Sequence, residues 1–138
     1  MGGRPRPGDT GRMPVTVLVV DDDPAFRRVV VRLLALRGLL VVDDVPDGAS
    51  ALAAVLHHRP DGVLLDVNLP DRDGMSVTRA LTARPGAPAV VLTSSDPSGC
   101  TTGELAACGA RAFVPKDELP RADLRGLFTP AGTSAAST

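Results

Sequence analysis

Acidic, hydroxyl and ammonium side chains follow four of the apolar segments in this 138-residue sequence. They are Asp21, Asp22 and Asp23 after VTVLVV, Asp66 and Asn68 at GVLLDV, Thr93 and Ser94 at AVVLTS, and Lys116 after RAFVP. If these segment ends meet, the carboxylates of Asp21, Asp22 and Asp66 repel one another, and a hard cation bound through oxygen relieves that repulsion. The pattern favours Mg²⁺, which binds one or two carboxylates, a carbonyl oxygen and several waters.

The same side chains suit the transfer of a phosphoryl group, which is catalysed mainly by positioning and by stabilising charge on the equatorial oxygens. The Asp66 carboxylate is able to act as a nucleophile and become an aspartyl phosphate. Mg²⁺, the Lys116 ammonium and the Thr93 hydroxyl would then each meet one phosphoryl oxygen. Lys116 is the single lysine among fifteen basic residues, and a compact ammonium can fill a role that a guanidinium cannot.

The segment between the first two apolar runs predicts an amphipathic helix. VTVLVV itself, at 15–20, is a β-branched run typical of a strand covered on both faces. Asp23 then suits an N-cap, Pro24 the first helical position and Gly38 the end of the helix. Apolar residues recur at helical spacing in between: Phe26, Val29, Val30, Leu33 and Leu34.

Strand and helix patterns go on alternating along the chain. Further strands are predicted at 39–45, 62–67, 89–94 and 111–115, and further helices at 49–58, 75–84, about 100–108 and within 119–128. The helix at about 100–108 is weak because glycines stand where helix formers are expected. Right-handed crossovers between five strands give an α/β fold, a doubly wound five-stranded parallel sheet with helices on both faces. Such sheets bind ligands beyond the carboxyl ends of their strands, where the candidate residues lie.

Composition indicates a soluble globular chain, with 43% hydrophobic residues, 22% charged residues and a net charge of −1. We expect one folded domain at 14–128 between a mobile extension at 1–13 and a mobile tail at 129–138. No apolar run approaches the roughly 18 residues that span a bilayer, and the start lacks the apolar core of a signal peptide, so we expect a cytoplasmic protein with no membrane partner. Scattered basic residues and few aromatic residues argue against direct nucleic-acid binding.

Other metal chemistry is disfavoured by the positions of the cysteines and histidines. Cys100 and Cys108 are far in sequence from His57 and His58, so no zinc spacing is present. We interpret the cysteines as small buried hydrophobes and the histidines as residues at the end of the second helix. Three further aspartates are expected to be solvated turn residues: Asp43, Asp44 and Asp47.

Four motifs together resemble the receiver domains of two-component response regulators. They are VLVVDDDP, LLDVNLPDRDG, VVLTSS and GARAFVPKDEL, and they occur in the family's order over about 14–128. The resemblance implies a (βα)5 flavodoxin-like fold, a Mg²⁺ cofactor and a stand-alone switch similar to chemotaxis regulators. It also implies residue roles: Asp66 as phosphoacceptor, Asp21, Asp22, Asp66 and the backbone carbonyl of Asn68 as metal ligands, Pro70 and Gly74 as shapers of the following loop, Thr93, Ser94 and Lys116 as phosphoryl contacts, and Phe113 as a switch aromatic.

By this resemblance, a sensor histidine kinase or phosphotransfer protein donates a phosphoryl group to Asp66. The surface at about 98–128 then changes for a downstream protein partner, and a homodimer through the final helix stays open. The chain would be a phosphoacceptor with self-catalysed transfer and dephosphorylation, not a turnover enzyme. One alternative is a receiver-fold binding module that works without phosphorylation. Another is a hydrolase or phosphotransferase of a different doubly wound family, but the sequence at 21–24 does not continue as those nucleophile motifs do.

Two departures from the family pattern are visible. Asp117 follows Lys116 where many members carry a proline, so the cis peptide that often accompanies that proline would be costly here. The stretch between Asp66 and Thr93 is a few residues shorter than expected, which predicts a third helix shortened by about one turn.

Overall fold

The computed structural model describes residues 14–96 and 101–129, which form a five-stranded parallel sheet with helices on both faces. Its strands are β1 (Thr16–Val20), β2 (Leu40–Val45), β3 (Gly62–Asp66), β4 (Ala89–Ser94) and β5 (Ala112–Pro115). Its α-helices are α1 (Pro24–Leu36), α2 (Gly48–His58), α3 (Gly74–Thr82), α4 (Thr102–Ala107) and α5 (Leu124–Phe128). The strand order β2-β1-β3-β4-β5 confirms the predicted α/β, doubly wound fold.

The order of the strands reverses between β1 and β3, because β2 lies on one side of β1 and the later strands lie on the other. β3 is buried along its whole length and pairs with β1 and β4. This explains the continuous apolar runs, since an inner strand of a parallel sheet is covered on both faces. β2 is an edge strand with exposed positions. The carboxyl ends of β1, β3 and β4 therefore meet at one edge.

Two apolar clusters sandwich the sheet. One joins the sheet to α2, α3 and the end of α4, and includes Val77, Leu81 and Cys108. The other joins the opposite face to α1 and α5, and includes Leu34 and Phe128. Cys108 is buried, as predicted, whereas Cys100 lies outside the described residues. So do the segments 1–13 and 130–138, where mobile ends were predicted.

The sequence signals at the ends of α1 are confirmed. The Asp23 carboxylate accepts a hydrogen bond from the Ala25 amide, Pro24 occupies the first turn, and Gly38 has φ +83° just beyond the end. Only part of the predicted apolar face is correct, because Val29 is 66% exposed whereas its neighbour Val30 is buried. Successive residues point about 100° apart around a helix, so the direction that buries Val30 turns Val29 toward solvent.

After β5 the chain forms two short helices where the sequence predicted one. The helical pattern within 119–128 corresponds to a 3₁₀ helix (Lys116–Arg121) and then α5, which Asp123 begins by accepting the Gly126 amide. Pro120 has no amide hydrogen to continue a helix. α3 ends at Thr82, two residues before the predicted end. Within the described residues there is no cis peptide bond, and no helix there is long and apolar enough to cross a membrane.

Candidate functional site

Three carboxylates gather where β1 and β3 end. Asp21 follows β1 and is fully buried, Asp22 is exposed, and Asp66 is the last residue of β3 and only 5% exposed. One carboxylate oxygen from each lies within 4.8 Å of the others. Because Val20 of β1 pairs with Leu65 of β3, the residues that follow them, Asp21 and Asp66, are adjacent at the edge of the sheet. This cluster is a group of hard oxygen ligands that could hold a metal ion.

Lys116 faces this cluster from the end of β5. Its Nζ lies 2.7 Å from Oδ2 of Asp21 and 3.0 Å from Oδ2 of Asp66. The ammonium also lies 4.2 Å from the centre of the Phe26 ring on α1, a cation–π contact. Burial alone lowers the pKa of Lys116, but the two carboxylates outweigh that effect and raise the pKa. The lysine is therefore held in its charged form beside Asp66.

Opposing effects act on the pKa of the buried Asp21 carboxyl group. Burial raises the pKa of its carboxyl group, Lys116 and the Asp23 amide lower it, and nearby Asp66 raises it further. Oδ1 accepts the Asp23 amide at 2.8 Å. Oδ2 receives no hydrogen bond of good geometry within the described residues, although the Lys116 ammonium lies close to it. A buried carboxylate oxygen in that condition, among three carboxylates and one ammonium, fits a divalent cation bound through oxygen.

The loop after β3 holds Asp66 in place. The amide of Asn68 donates to Oδ1 of Asp66 at 2.7 Å, and Asn68 pairs with Asp73 across the loop. At the start of α3, the amide of Gly74 donates to the carbonyl of Val67 at 2.7 Å. A Cβ at Gly74 would lie 2.5 Å from the Asp66 carbonyl oxygen, so a glycine is needed for this close approach. The Asn68 amide therefore orients Oδ1 of Asp66, and the Lys116 ammonium lies beside Oδ2.

Thr93 and Ser94 end the neighbouring strand, β4. Thr93 lies opposite Asp66 in the register of the two strands. Both hydroxyls are buried and engaged: Thr93 donates to the carbonyl of Val114 on β5 at 2.7 Å, and Ser94 bonds the backbone of Asp96. The Thr93 hydroxyl is therefore tied to β5 in this state and is not a partner of Asp66.

Phe113 lies on β5, beside Leu92 of β4 in register. Its side chain is half-buried and packs against the apolar cluster under α2, α3 and α4. These contacts suit a core residue and leave its role in switching a prediction.

Several contacts around the site were not predicted from the sequence. Asp44 is exposed, as expected, but it lies within β2 rather than in a turn, and its carboxylate pairs with Arg27 of α1 at 3.0 Å. Asp47 is the N-cap of α2 and accepts the Ser50 amide, and a capping aspartate before an apolar helical run was a readable signal. Asp43 lies 3.4 Å from His58 in the last turn of α2.

Asp71 is a second unpredicted contact, and it ties the loop after β3 to α2. Its carboxylate accepts the amides of Gly48 and Ala49 at 2.8 and 2.9 Å. The Gly48 amide is the larger cause of the lowered pKa of Asp71, and the Ala49 amide adds to it. Nothing in the local sequence indicates which helix a loop aspartate reaches.

The chain is similar to known proteins both in sequence and in structure. The chain is 41% identical to the response regulator MprA of Mycolicibacterium vanbaalenii over 91% of its own length and 58% of that protein. It is 35% identical, over 80% of its length and 32% of the relative, to a protein-glutamate methylesterase/protein-glutamine glutaminase of Archaeoglobus fulgidus. The chain thus spans only part of these relatives, one named as a regulator and one as an enzyme.

The fold is also similar to a solved structure, the signal receiver domain of the response regulator NarL from Mycobacterium tuberculosis. The two share 35% sequence identity and a TM-score of 0.72, over 83% of this chain and 93% of that one. Residues 17–126 match the family model described as the response regulator receiver domain. The chain therefore belongs to the response regulator receiver family, the domain that receives the signal in two-component phosphorelays.

Proposed function

We propose that Asp66 is the phosphoacceptor of this receiver and that Asp21, Asp22, Asp66 and the backbone carbonyl of Asn68 bind Mg²⁺. The observation that carries the proposal is the convergence of three carboxylates and the chain's single lysine at the carboxyl end of β3. A bound Mg²⁺ would neutralise charge on the phosphoryl oxygens. The donor would be a phosphohistidine of a sensor kinase or phosphotransfer protein, as is general for the family.

With Mg²⁺ bound, the residues around Asp66 would suit the transfer. An oxygen of the Asp66 carboxylate forms a bond to phosphorus as the phosphorus–nitrogen bond of the donor breaks, and the imidazole leaves with the electron pair and takes up a proton. The Asn68 amide and the Lys116 ammonium hold the carboxylate before any donor arrives, which reduces the entropic cost of reaching the reactive geometry. Lys116 then lies beside the added group, where its charge meets a phosphoryl oxygen.

Thr93 would couple the added group to the rest of the fold. Its hydroxyl now donates to Val114 on β5; to reach a phosphoryl oxygen at Asp66 it must give up that bond. Phosphorylation would therefore exchange one hydrogen bond for another and shift a two-state equilibrium. The surface that changes would include α4, β5 and α5, with Phe113 as a candidate lever and a second protein as the reader.

The test is intact-mass measurement of the purified chain after incubation with acetyl phosphate and Mg²⁺. We expect the parent to gain the mass of one phosphoryl group, Asp66→Asn to gain none, and chelation of Mg²⁺ to prevent the gain. Asp43→Asn is the matched control, because Asp43 is an exposed aspartate of β2 that does not belong to the acidic cluster, and it should be labelled as the parent is. Equal labelling of Asp66→Asn and the parent would disprove the assignment.

The same experiment separates the proposal from a receiver-fold binding module that works without phosphorylation. That alternative has one observation in its favour. The Lys116 ammonium already pairs with both Asp21 and Asp66, and so partly neutralises the cluster without a metal ion. No mass gain in the parent, from either acetyl phosphate or a phosphorylated histidine kinase, would favour this module.

A further inference from the structure

Arg27 joins three elements directly behind the acidic cluster. One terminal guanidinium nitrogen donates to the backbone carbonyl of Asp21 at 2.6 Å, and Nε contacts Oδ2 of Asp44 at 3.0 Å. Arg27 belongs to α1, Asp21 follows β1 and Asp44 lies near the end of β2. The Arg27 side chain is only 18% exposed and its bond to the Asp21 carbonyl is partly buried, whereas the contact with Asp44 is exposed.

We propose that Arg27 is a positioning residue for the cation site, and that Asp44 holds Arg27 in place. By donating a hydrogen bond to the Asp21 carbonyl, Arg27 fixes the peptide that joins Asp21 to Asp22. It thereby keeps the Asp22 carboxylate within the cluster. This inference rests on the proposed function, because it concerns the same Mg²⁺ site.

The Asp22 carboxylate depends on this hydrogen bond of Arg27, because few other contacts fix its direction in the described residues. Asp22 is exposed and makes no side-chain hydrogen bond or ion pair within the part of the chain that is described. Asp21 has its amide bonded to Val45 and its carboxylate bonded to the Asp23 amide. The peptide between Asp21 and Asp22 has its oxygen bound only by Arg27 among the described residues. The direction of Asp22 is therefore set by the backbone, and Arg27 is what restrains that backbone.

Charge and shape explain why an arginine suits this role. A cation next to a Mg²⁺ site repels the metal, but Asp44 neutralises the Arg27 guanidinium and limits that cost. A guanidinium presents several N–H groups in a fixed plane, so it can bind the Asp21 carbonyl and the Asp44 carboxylate at once. A lysine in the same place provides a single ammonium on a flexible stem and would hold both partners less firmly.

The test measures cation affinity apart from phosphorylation. Mg²⁺ binding is followed by calorimetry, and Mn²⁺ binding by electron paramagnetic resonance, in the parent, Arg27→Gln, Asp44→Asn and Arg28→Gln. Residues that orient metal ligands change affinity by about 10-fold to 100-fold when replaced, and we expect Arg27→Gln to weaken Mg²⁺ binding by about tenfold. Arg28→Gln is the matched control because Arg28 is the exposed neighbour on α1, and it should bind as the parent does.

A second readout distinguishes positioning from a general loss of structure. For phosphorylation by acetyl phosphate, the Mg²⁺ concentration at half-maximal rate should rise about tenfold in Arg27→Gln, whereas the rate at saturating Mg²⁺ should stay within about twofold. Arg27→Lys should recover part of the affinity. If Arg27→Gln fails to fold in chelator, Asp44→Asn tests the positioning of Arg27 instead. Asp44 is exposed, so its replacement should leave the fold intact.

The proposal is overturned if folded Arg27→Gln and Asp44→Asn bind Mg²⁺ as tightly as the parent. It is also overturned if the rate at saturating Mg²⁺ falls while the affinity for Mg²⁺ is unchanged. Neither result touches the proposed function, which fails separately if the parent binds no Mg²⁺ or if Asp66→Asn is labelled.

Discussion

The loops after β3 and β4 leave the same edge of the sheet, but the helices to which they lead are buried to different extents in the described residues. The loop after β3 is tied to another helix, because Asp71 accepts two amides at the start of α2. It leads into α3, which buries four residues: Gly74, Val77, Thr78 and Leu81. In the described part of the loop after β4, the Ser94 hydroxyl bonds the backbone of Asp96. It leads to a six-residue α4 whose capping box joins Thr101 to Glu104.

This difference divides the edge into a fixed side and a loosely packed side. Contacts between distant elements hold Asp66 and its loop in one arrangement, which suits a group that must meet a donor with little reorganisation. Within the described residues of α4, Leu105 is the half-buried one, and Cys108 is buried only at the C-cap. An element with few buried contacts can adopt a second arrangement at small cost. Thr93 sits at the border, bonded to β5 but opposite Asp66.

The largest expected effect is on the fixed side, from Gly74→Ala. The new Cβ would lie 2.5 Å from the Asp66 carbonyl oxygen and 2.7 Å from Cα of Val67, and neither backbone atom can move aside easily. We expect the free energy of unfolding to fall by about 3 kcal/mol, at the upper end of the usual cost of overpacking. Urea unfolding measures it. A loss under about 0.5 kcal/mol would mean that this side is not tightly fixed.

A smaller effect is expected at the border, from Thr93→Val. The variant keeps the shape of the side chain but removes the donor to the Val114 carbonyl, which should cost about 1 kcal/mol of unfolding free energy. Phosphoryl incorporation at Asp66 should persist, and the change at β5 should be lost.

Amide chemical shifts of β5 and α5, with and without phosphodonor, measure that change. Thr93→Ser is the control, since it retains the hydroxyl, and it should respond as the parent does. A full response of β5 in phosphorylated Thr93→Val would show that Thr93 does not carry the signal.

The sequence predicted the fixed side well because local patterns and chain order were enough there. Apolar runs located β1, β3 and β4, and the polar residues at their ends were bound to meet once the sheet was parallel. Asp21 and Asp66 needed no knowledge of side-chain direction, since each lies at a strand end. Asp23 and Pro24 were read from capping preferences alone.

Contacts that depend on how separate elements pack could not be predicted. The pairing of Arg27 with Asp44 requires the position of α1 beside the end of β2, and the local sequence around either residue gives no sign of it. The exposure of Val29 depends on the rotation of α1 against the sheet. The contact between Phe26 and Lys116 joins residues ninety positions apart. These contacts depend on how separate helices and strands pack together, and local sequence patterns do not determine that packing.

On the loosely packed side, Gly103→Ala should raise stability slightly. Gly103 lies in α4, and a Cβ there would meet no atom of the described residues within 4 Å. Alanine is more favourable than glycine in a helix by about 0.5–1 kcal/mol. We expect amide hydrogen exchange in 102–107 to slow by up to about fivefold, with no change in α3. Faster exchange in α4, or an equal change in α3, would contradict the division between the two sides.

The smallest effect should come from Asp71→Asn, and it should depend on pH. The amides of Gly48 and Ala49 stabilise the ionised Asp71 carboxylate, so its pKa in the folded chain is below the usual value. A lowered pKa contributes stability that is present above the ordinary pKa of about 4 and is lost as the pH falls through the lowered value. Asp71→Asn should therefore lower the melting temperature at pH 7, and this deficit should shrink as the pH falls below about 4.

Thermal unfolding at several pH values measures this deficit, with exposed Glu118→Gln as the control for loss of one charge. Asp71 is exposed, so water and salt weaken its contribution. The comparison of the two loops depends on it nonetheless, because Asp71 is the tie from the loop after β3 to α2. If Asp71→Asn and Glu118→Gln melt alike at every pH, that tie contributes nothing measurable, and the fixed side would owe its rigidity to α3 and Gly74 alone.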